Sequence, residues 1–264
     1  MSSILTHKNL DNLSNVRSRL EKKESLRIQF SAPSEYNSIL LKAINELARE
    51  FPEQITLRFW HHLGDSFDFK IFTQLPDICK LWLDPIRAKN WEHFESLPNL
   101  KYLSFGILEV TDKKILSRIV HPKLETLILS QIRTKALDLQ YLELGQNLQE
   151  LRMFGHRKNI SSISALKTLR TLIFSPSIKD TYPYISQLSN LEHLEFYLGG
   201  SENIDEISSI TLKTLKFFQV KRLQDLGDLS RFPSLKMINV ENQPLIEKSN
   251  YFKKLEAIRI VNWD

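Results

Sequence analysis

The chain has 264 residues, a formal charge of +5 and a pI near 9.1; 42% of residues are hydrophobic and 25% charged, the profile of a globular chain able to bury a core. No apolar run approaches the roughly 18 residues that a membrane helix requires, and Met1 to Lys8 lack the basic and apolar regions of a secretory signal. A single cysteine, Cys79, excludes an internal disulfide framework and zinc sites built on cysteine pairs, so the expected location is cytoplasmic and no cofactor or metal is expected.

From the N-terminus, Leu10, Leu13, Val16 and Leu20 share one helical stripe and predict an amphipathic helix sealing the edge of whatever follows. Ile28-x-Phe30 reads as a degenerate strand, and Ile39, Leu40, Ala43, Ile44 and Leu47 predict a second helix over 34–49. Residues 1–53 are therefore expected as a helical cap with one degenerate repeat.

Beyond residue 53 a periodic ladder begins. Ile78-Leu81-Leu83, Leu100-Leu103-Phe105, Leu124-Leu127-Leu129, Leu148-Leu151-Met153 and Leu169-Leu172-Phe174 all fit Leu-x-x-Leu-x-Leu with conservative replacements. Leu191-Leu194-Phe196, Leu212-Leu215-Phe217, Leu235-Ile238-Val240 and Leu255-Ile258-Ile260 continue it, and Leu57-x-Phe59 opens it behind Gln54. The starts are 20 to 24 residues apart. The final spacing of two puts alternate side chains on one face of a strand, whereas a helix would turn them about 200° apart. A single unit cannot bury its apolar edge, but stacked units share one continuous core.

This pattern resembles the leucine-rich repeat family over residues 54–264, about ten repeats. The resemblance implies an α/β, right-handed solenoid (a horseshoe), with a parallel sheet on the concave face and short helices or 3₁₀ turns on the convex face. Among the returning segments, 111–120 has helical spacing with Thr111 as a candidate cap. Ile160-x-x-Ile163-x-x-Leu166 and Leu223-x-x-Leu226-x-x-Leu229 suit 3₁₀ turns, like the short repeats of internalin-like proteins and of phosphatase regulators in this family. Leu137-x-Leu139-x-x-Leu142-x-Leu144 is equally readable as an extra strand. The family usually carries Asn or Cys three residues after the last leucine; here His62, Ile86, Leu108, Ile132, His156, Ser177, Gly199, Val220, Gln243 and Trp263 stand there, which predicts a less regular solenoid. The last strand ends at the C-terminal edge, where Trp263, a partner or a second copy of the chain is expected to block it.

With the ladder residues in the core, their neighbours face the concave surface. The candidate partner-binding residues are Arg58, Trp60, Trp82, Asp84, Tyr102, Glu150, Arg152, Phe154, His193, Glu195, Tyr197, Lys216 and Phe218. Large rings mixed with charges compose a protein-binding patch, although cross-strand rings also pack on one another. Across the positions flanking the last two ladder residues of the ten copies, five cations, Arg58, Lys80, Arg152, Lys216 and Arg259, stand against four acids, Asp84, Glu150, Glu195 and Glu241, which disfavours nucleic acid. The paired basic residues elsewhere alternate with acids, as on a solvated surface.

Candidates for chemistry are few. In a strand, His61 and His62 point to opposite faces; His93, His121 and His156 fall in returns or strand exits as surface or loop residues without ligand spacing; Cys79 reads as a small buried hydrophobe. No phosphate loop, nucleophile elbow or paired-carboxylate motif is present, and His193 beside Glu195 is a recognition pair rather than a catalytic one. The expected function, which the resemblance supplies, is a non-catalytic module binding a protein on the concave face. Alternatives are an intracellular inhibitor or immunity protein that neutralises a toxin or enzyme, a substrate adaptor of a ligase complex, and a nucleic-acid-associated factor.

Overall fold

Alternation at period two governs most of the strands. In the computed structural model Leu57 and Phe59 are fully buried while Thr56, Arg58 and Trp60 between them stay half-exposed. The structure describes residues 3–10, 13–62, 66–130, 137–175, 182–241 and, as backbone only, 259–261. The chain divides into two compact units, Met1–Asp138 and Leu139–Asp264.

In the first unit β1 (Ser3–Thr6), β2 (Leu26–Phe30), β3 (Ile55–His61), β5 (Lys80–Pro85), β7 (Tyr102–Phe105) and β8 (Thr126–Leu129) pair in that order, all parallel. Two short strands, β4 (Phe67–Asp68) and β6 (Ala88–Lys89), pair separately in the returns. Register is one-to-one, so Ile28, Leu57, Leu81, Leu103 and Leu127 form one buried row. In the second unit β9 (Glu150–Met153), β10 (Thr171–Phe174), β11 (His193–Tyr197), β12 (Thr214–Phe218), β13 (Met237–Glu241) and β14 (Arg259–Val261) repeat the arrangement, again parallel. Leu151, Leu172, Leu194, Leu215 and Ile238 make its buried row. Parallel strands need a covered face, and aromatic rings thicken that cover: Phe30 stacks on Phe59 at 5.7 Å, and Phe196 on Phe217 at 5.2 Å.

The returns follow their spacing. Helices α1 (Leu13–Glu21), α2 (Ser38–Glu50) and α3 (Ile115–Ile119) lie in the first unit, where 3₁₀ turns occupy Phe69–Gln74 and Trp91–Ser96. In the second unit the returns at Leu139–Leu144, Ile160–Ala165, Pro183–Gln187 and Leu229–Arg231 are all 3₁₀. The ambiguous 137–144 stretch is thus a turn, because Leu139 and Leu142 at spacing three both reach the core. Asn90 and Asn159, at φ 58°, begin two of these turns, and asparagine tolerates the left-handed region better than most residues.

Several expectations change in detail. Residues 1–53 hold two strands, β1 and β2, each with its own helix, so α1 follows a strand instead of preceding the first one. The buried stripe of α2 is Leu41, Ile44, Asn45, Leu47 and Ala48, with Ile39 80% exposed. The stripe is rotated because Asn45 is bonded inward: its Nδ2 donates to Asp77 Oδ2 at 2.9 Å and its Oδ1 accepts from Asp77 N at 2.9 Å. Thr111 does not cap α3; its hydroxyl accepts from Trp91 Nε1 at 3.1 Å, while Asp112 Oδ1 accepts from Lys114 N. Within the second return motif only Leu229–Arg231 is helical, although Leu223 and Leu226 are buried. Leu255, Ile258 and Trp263 lie outside the described residues, as do the Ile132, Ser177 and Gln243 positions of the missing asparagine.

One histidine, His62, supplies part of what that asparagine would. His62 and His156 are 1% and 3% exposed; the expectation of a surface or loop histidine fails for His156. His62 Nδ1 lies 2.9 Å from the Trp60 carbonyl, and Tyr36 Oη lies 3.3 Å from its Nε2. Elsewhere the strand exits bond rung to rung through the backbone, as in Ser130 N to Phe105 O at 3.0 Å and Ser175 N to Met153 O at 3.2 Å. Burial lowers the His62 pKa from its ordinary 6.5, the Trp60 carbonyl and Glu35 opposing it, and burial raises the Tyr36 hydroxyl to about 12 with help from Asp68 and Glu35. Because folded His62 resists protonation, the unfolded chain takes up that proton first as pH falls below 6.5. Its contribution is complete above that pH and is lost as acidification proceeds towards the lowered pKa. A His62→Asn variant should accordingly lose less stability than the parent between pH 7.5 and pH 5 in urea titrations (roughly that range, from the reference histidine pKa). Equal losses would remove His62 from the acid sensitivity.

Candidate functional site

On the face away from the core, the first unit presents an interlocked cluster. Arg58 on β3 donates from Nε to Asp84 Oδ1 at 3.2 Å and from Nη2 to Asp84 Oδ2, a bidentate pair across to β5. Its guanidinium lies 4.2 Å from the Trp82 ring centroid and 5.5 Å from that of Trp60. Arg27 on β2 lies over the same Trp82 ring at 4.6 Å. Register explains the assembly, since Arg58 is opposite Trp82 and Trp60 is opposite Asp84. Lys80 is held by Glu53 at 3.1 Å, which Lys101 shares at 2.9 Å; both lysines hold the Glu53 carboxyl below its usual range. Tyr102 is half-buried on β7 beside the buried Ser104.

Arg27 is the residue that sequence reasoning missed. Its signal was its place beside Ile28 in the copy read as degenerate, which put it on the same face as Arg58. The cluster makes a prediction: Asp84→Ala leaves Arg58 charged, half-buried and unpaired, costing about 1–3 kcal/mol of stability, and shifts tryptophan emission as Trp60 and Trp82 lose their cover. Unchanged emission and denaturation midpoint would contradict this coupling.

In the second unit the face is less committed. Arg152 donates from Nε to Glu150 Oε1 at 2.6 Å along β9. Three rings, all half-buried, run across the strand ends: Phe154 meets Tyr197 edge-to-face at 5.5 Å, and Tyr197 stacks on Phe218 at 4.8 Å with planes 9° apart. Phe154 and Tyr197 meet across β10, which is followed at that level by the small Ser175. Glu195 and Lys216 are directly opposite on β11 and β12, yet among the described residues neither has an ion pair or hydrogen bond. His193 is exposed on the same face. These residues line a depression of about 470 Å³ with Glu150, Arg152, Thr171, Ile173 and Thr214. The sequence-predicted residues therefore form two clusters, one within each unit, and Arg259 has no described side chain.

Among the described residues no group of three or more His, Cys, Asp and Glu side chains could hold a metal ion. Cys79 is buried, its thiol pushed up chiefly by that burial. Burial likewise lowers His121, whose Nε2 is buried without a partner. No helix among the described residues is long and apolar enough to cross a membrane.

Repeating parallel strands, a row of buried leucines and short returns define the leucine-rich repeat fold, and solved structures share it. No family model matches the sequence, and no curated protein matches it. The TLR13–ssRNA13 complex structure aligns with 99% of this chain and 42% of that one, at 17% identity and a TM-score of 0.52. Two internalins of Listeria monocytogenes str. 4b F2365 also align: internalin C2 over 78% of this chain and 84% of its own at 16% identity and TM-score 0.49, and internalin inlF over 79% and 76% at 12% and 0.42.

Proposed function

We propose that the chain is a non-catalytic protein-interaction module whose partner sits on the sheet face of the second unit, over Glu195, Lys216 and the Phe154–Tyr197–Phe218 rings. One observation carries this reading: an acid and a base lie side by side in a depression without pairing, next to half-exposed rings. Partly desolvated charges left unpaired are costly unless a partner completes them, and rings beside such charges are the usual anchors of an interface. In the first unit the corresponding residues satisfy one another, so Arg58, Trp60, Trp82 and Asp84 hold the sheet face rigid rather than anchor the partner. The single-stranded RNA in the TLR13 structure belongs to that protein; near-balanced charge on this face supports a protein partner instead. A finer version is an inhibitor that covers a toxin or enzyme in the same compartment.

Affinity capture from native lysate, read by mass spectrometry, tests the reading. A partner retained by the parent chain and lost from a Phe154→Ala, Tyr197→Ala, Phe218→Ala variant supports it. Equal capture by both moves the site off this face.

A further inference from the structure

We propose that the depression over β10 receives one cationic side chain of the protein partner, an arginine or lysine, and that the Glu195 carboxylate holds it. The inference rests on the reading of this face as a partner surface. The shape comes from the sequence of β10: Thr171 and Ile173 face out, followed by Ser175, between longer side chains, Glu150 and Arg152 on β9 with Phe154 just past its end, and His193, Glu195 and Tyr197 on β11. A low lane with a half-exposed Ile173 along its floor suits the methylene stem of a long basic residue, which buries its carbons and keeps its charge at the polar wall.

Charge then selects the guest. Of the two carboxylates that line the lane, Glu150 is already answered by Arg152, whereas Glu195 has no partner among the described residues. Lys216 borders Glu195 on the side away from β10, so a guest lying along β10 meets Glu195 before Lys216. Two residues further along the strands, the Phe154 and Tyr197 rings meet and close the lane. A cation stopped there lies near ring faces as well as a carboxylate. The planar, forked guanidinium fits that combination better than an ammonium, which makes arginine the preferred guest.

The probe is N-acetyl-arginine methylamide, titrated into the full chain and followed by amide NMR, with N-acetyl-glutamate methylamide as its counterpart. The inference expects saturable shifts at Ile173, Glu195 and Tyr197 with the arginine probe, no response to the glutamate probe, and binding weakened about tenfold in Glu195→Gln, as for loss of a charge-assisted hydrogen bond. Lys216→Gln should bind the arginine probe as well as the parent or better. Silence of the arginine probe, or binding of the glutamate probe that depends on Lys216, overturns the inference. In lysate capture the two levels separate: a partner kept by Glu195→Gln but lost by the triple alanine variant overturns the cation receptacle and leaves the interaction surface standing, whereas a partner kept by both overturns the surface.

Discussion

Removing Phe154, Tyr197 and Phe218 together is expected to weaken partner binding by about a thousandfold or more while leaving the circular dichroism spectrum unchanged. Buried aromatic anchors cost about 2 kcal/mol or more each on truncation, and about 1.4 kcal/mol is a tenfold change in affinity. The folded state should tolerate the loss because these rings occupy the solvent side of the strands, where their main contacts are with one another. The row of buried leucines beneath them is untouched. By contrast, Trp60→Ala should leave binding within about 0.5 kcal/mol of the parent, the usual range for residues outside such anchors. Trp60 already packs against His61 at 4.0 Å and Arg58 at 5.5 Å. Biolayer interferometry against the captured partner measures both variants. A triple variant that binds like the parent, or a Trp60→Ala variant that loses the partner, would contradict the division of roles between the two clusters.

Phe196→Ala should produce the largest loss of stability, about 3–5 kcal/mol. The ring is fully buried, stacked 5.2 Å from Phe217 with planes 12° apart, 5.1 Å from Phe174 and 5.7 Å from Tyr182. These neighbours come from the two flanking strands and a return, so the cavity is walled on several sides and collapses poorly. Its nearest control is Ile210, 77% exposed in a return, whose replacement by Ser should change stability by less than about 0.5 kcal/mol. Urea denaturation followed by far-ultraviolet circular dichroism distinguishes them. Comparable midpoints for the two variants would mean that the ladder does not carry the core.

The ladder was readable because its signal is redundant: each copy repeats the same period-two placement, and register in a parallel stack follows from it without long-range information. Asn45 shows why the α2 stripe was misplaced. The apolar stripe leaves out this polar residue, whose partner Asp77 is supplied by the next repeat, 32 residues on. Thr111 misled for a related reason, since its hydroxyl was spent on Trp91 from the preceding return. His62 and His156 stand at the position of the family asparagine, which predicted only a less regular solenoid; packing alone reveals that imidazoles are buried there. Within the site, the face positions of all thirteen candidates could be read from alternation. Which of them were already consumed could not: the pairing of Arg58 with Asp84 and the isolation of Glu195 from Lys216 depend on side-chain reach between strands, not on sequence spacing. Arg27 escaped for want of one recognisable leucine in its copy.

Hydroxyl-radical footprinting of the chain alone and in its captured complex tests most directly whether the non-core face of the sheet is the surface that holds a partner. Partner-dependent protection of Phe154, Tyr197 and Phe218, with Leu144 and Ile210 in the returns still labelled as in the free chain, is the predicted result. Protection of Leu144 and Ile210 with the three rings labelled as before would contradict it.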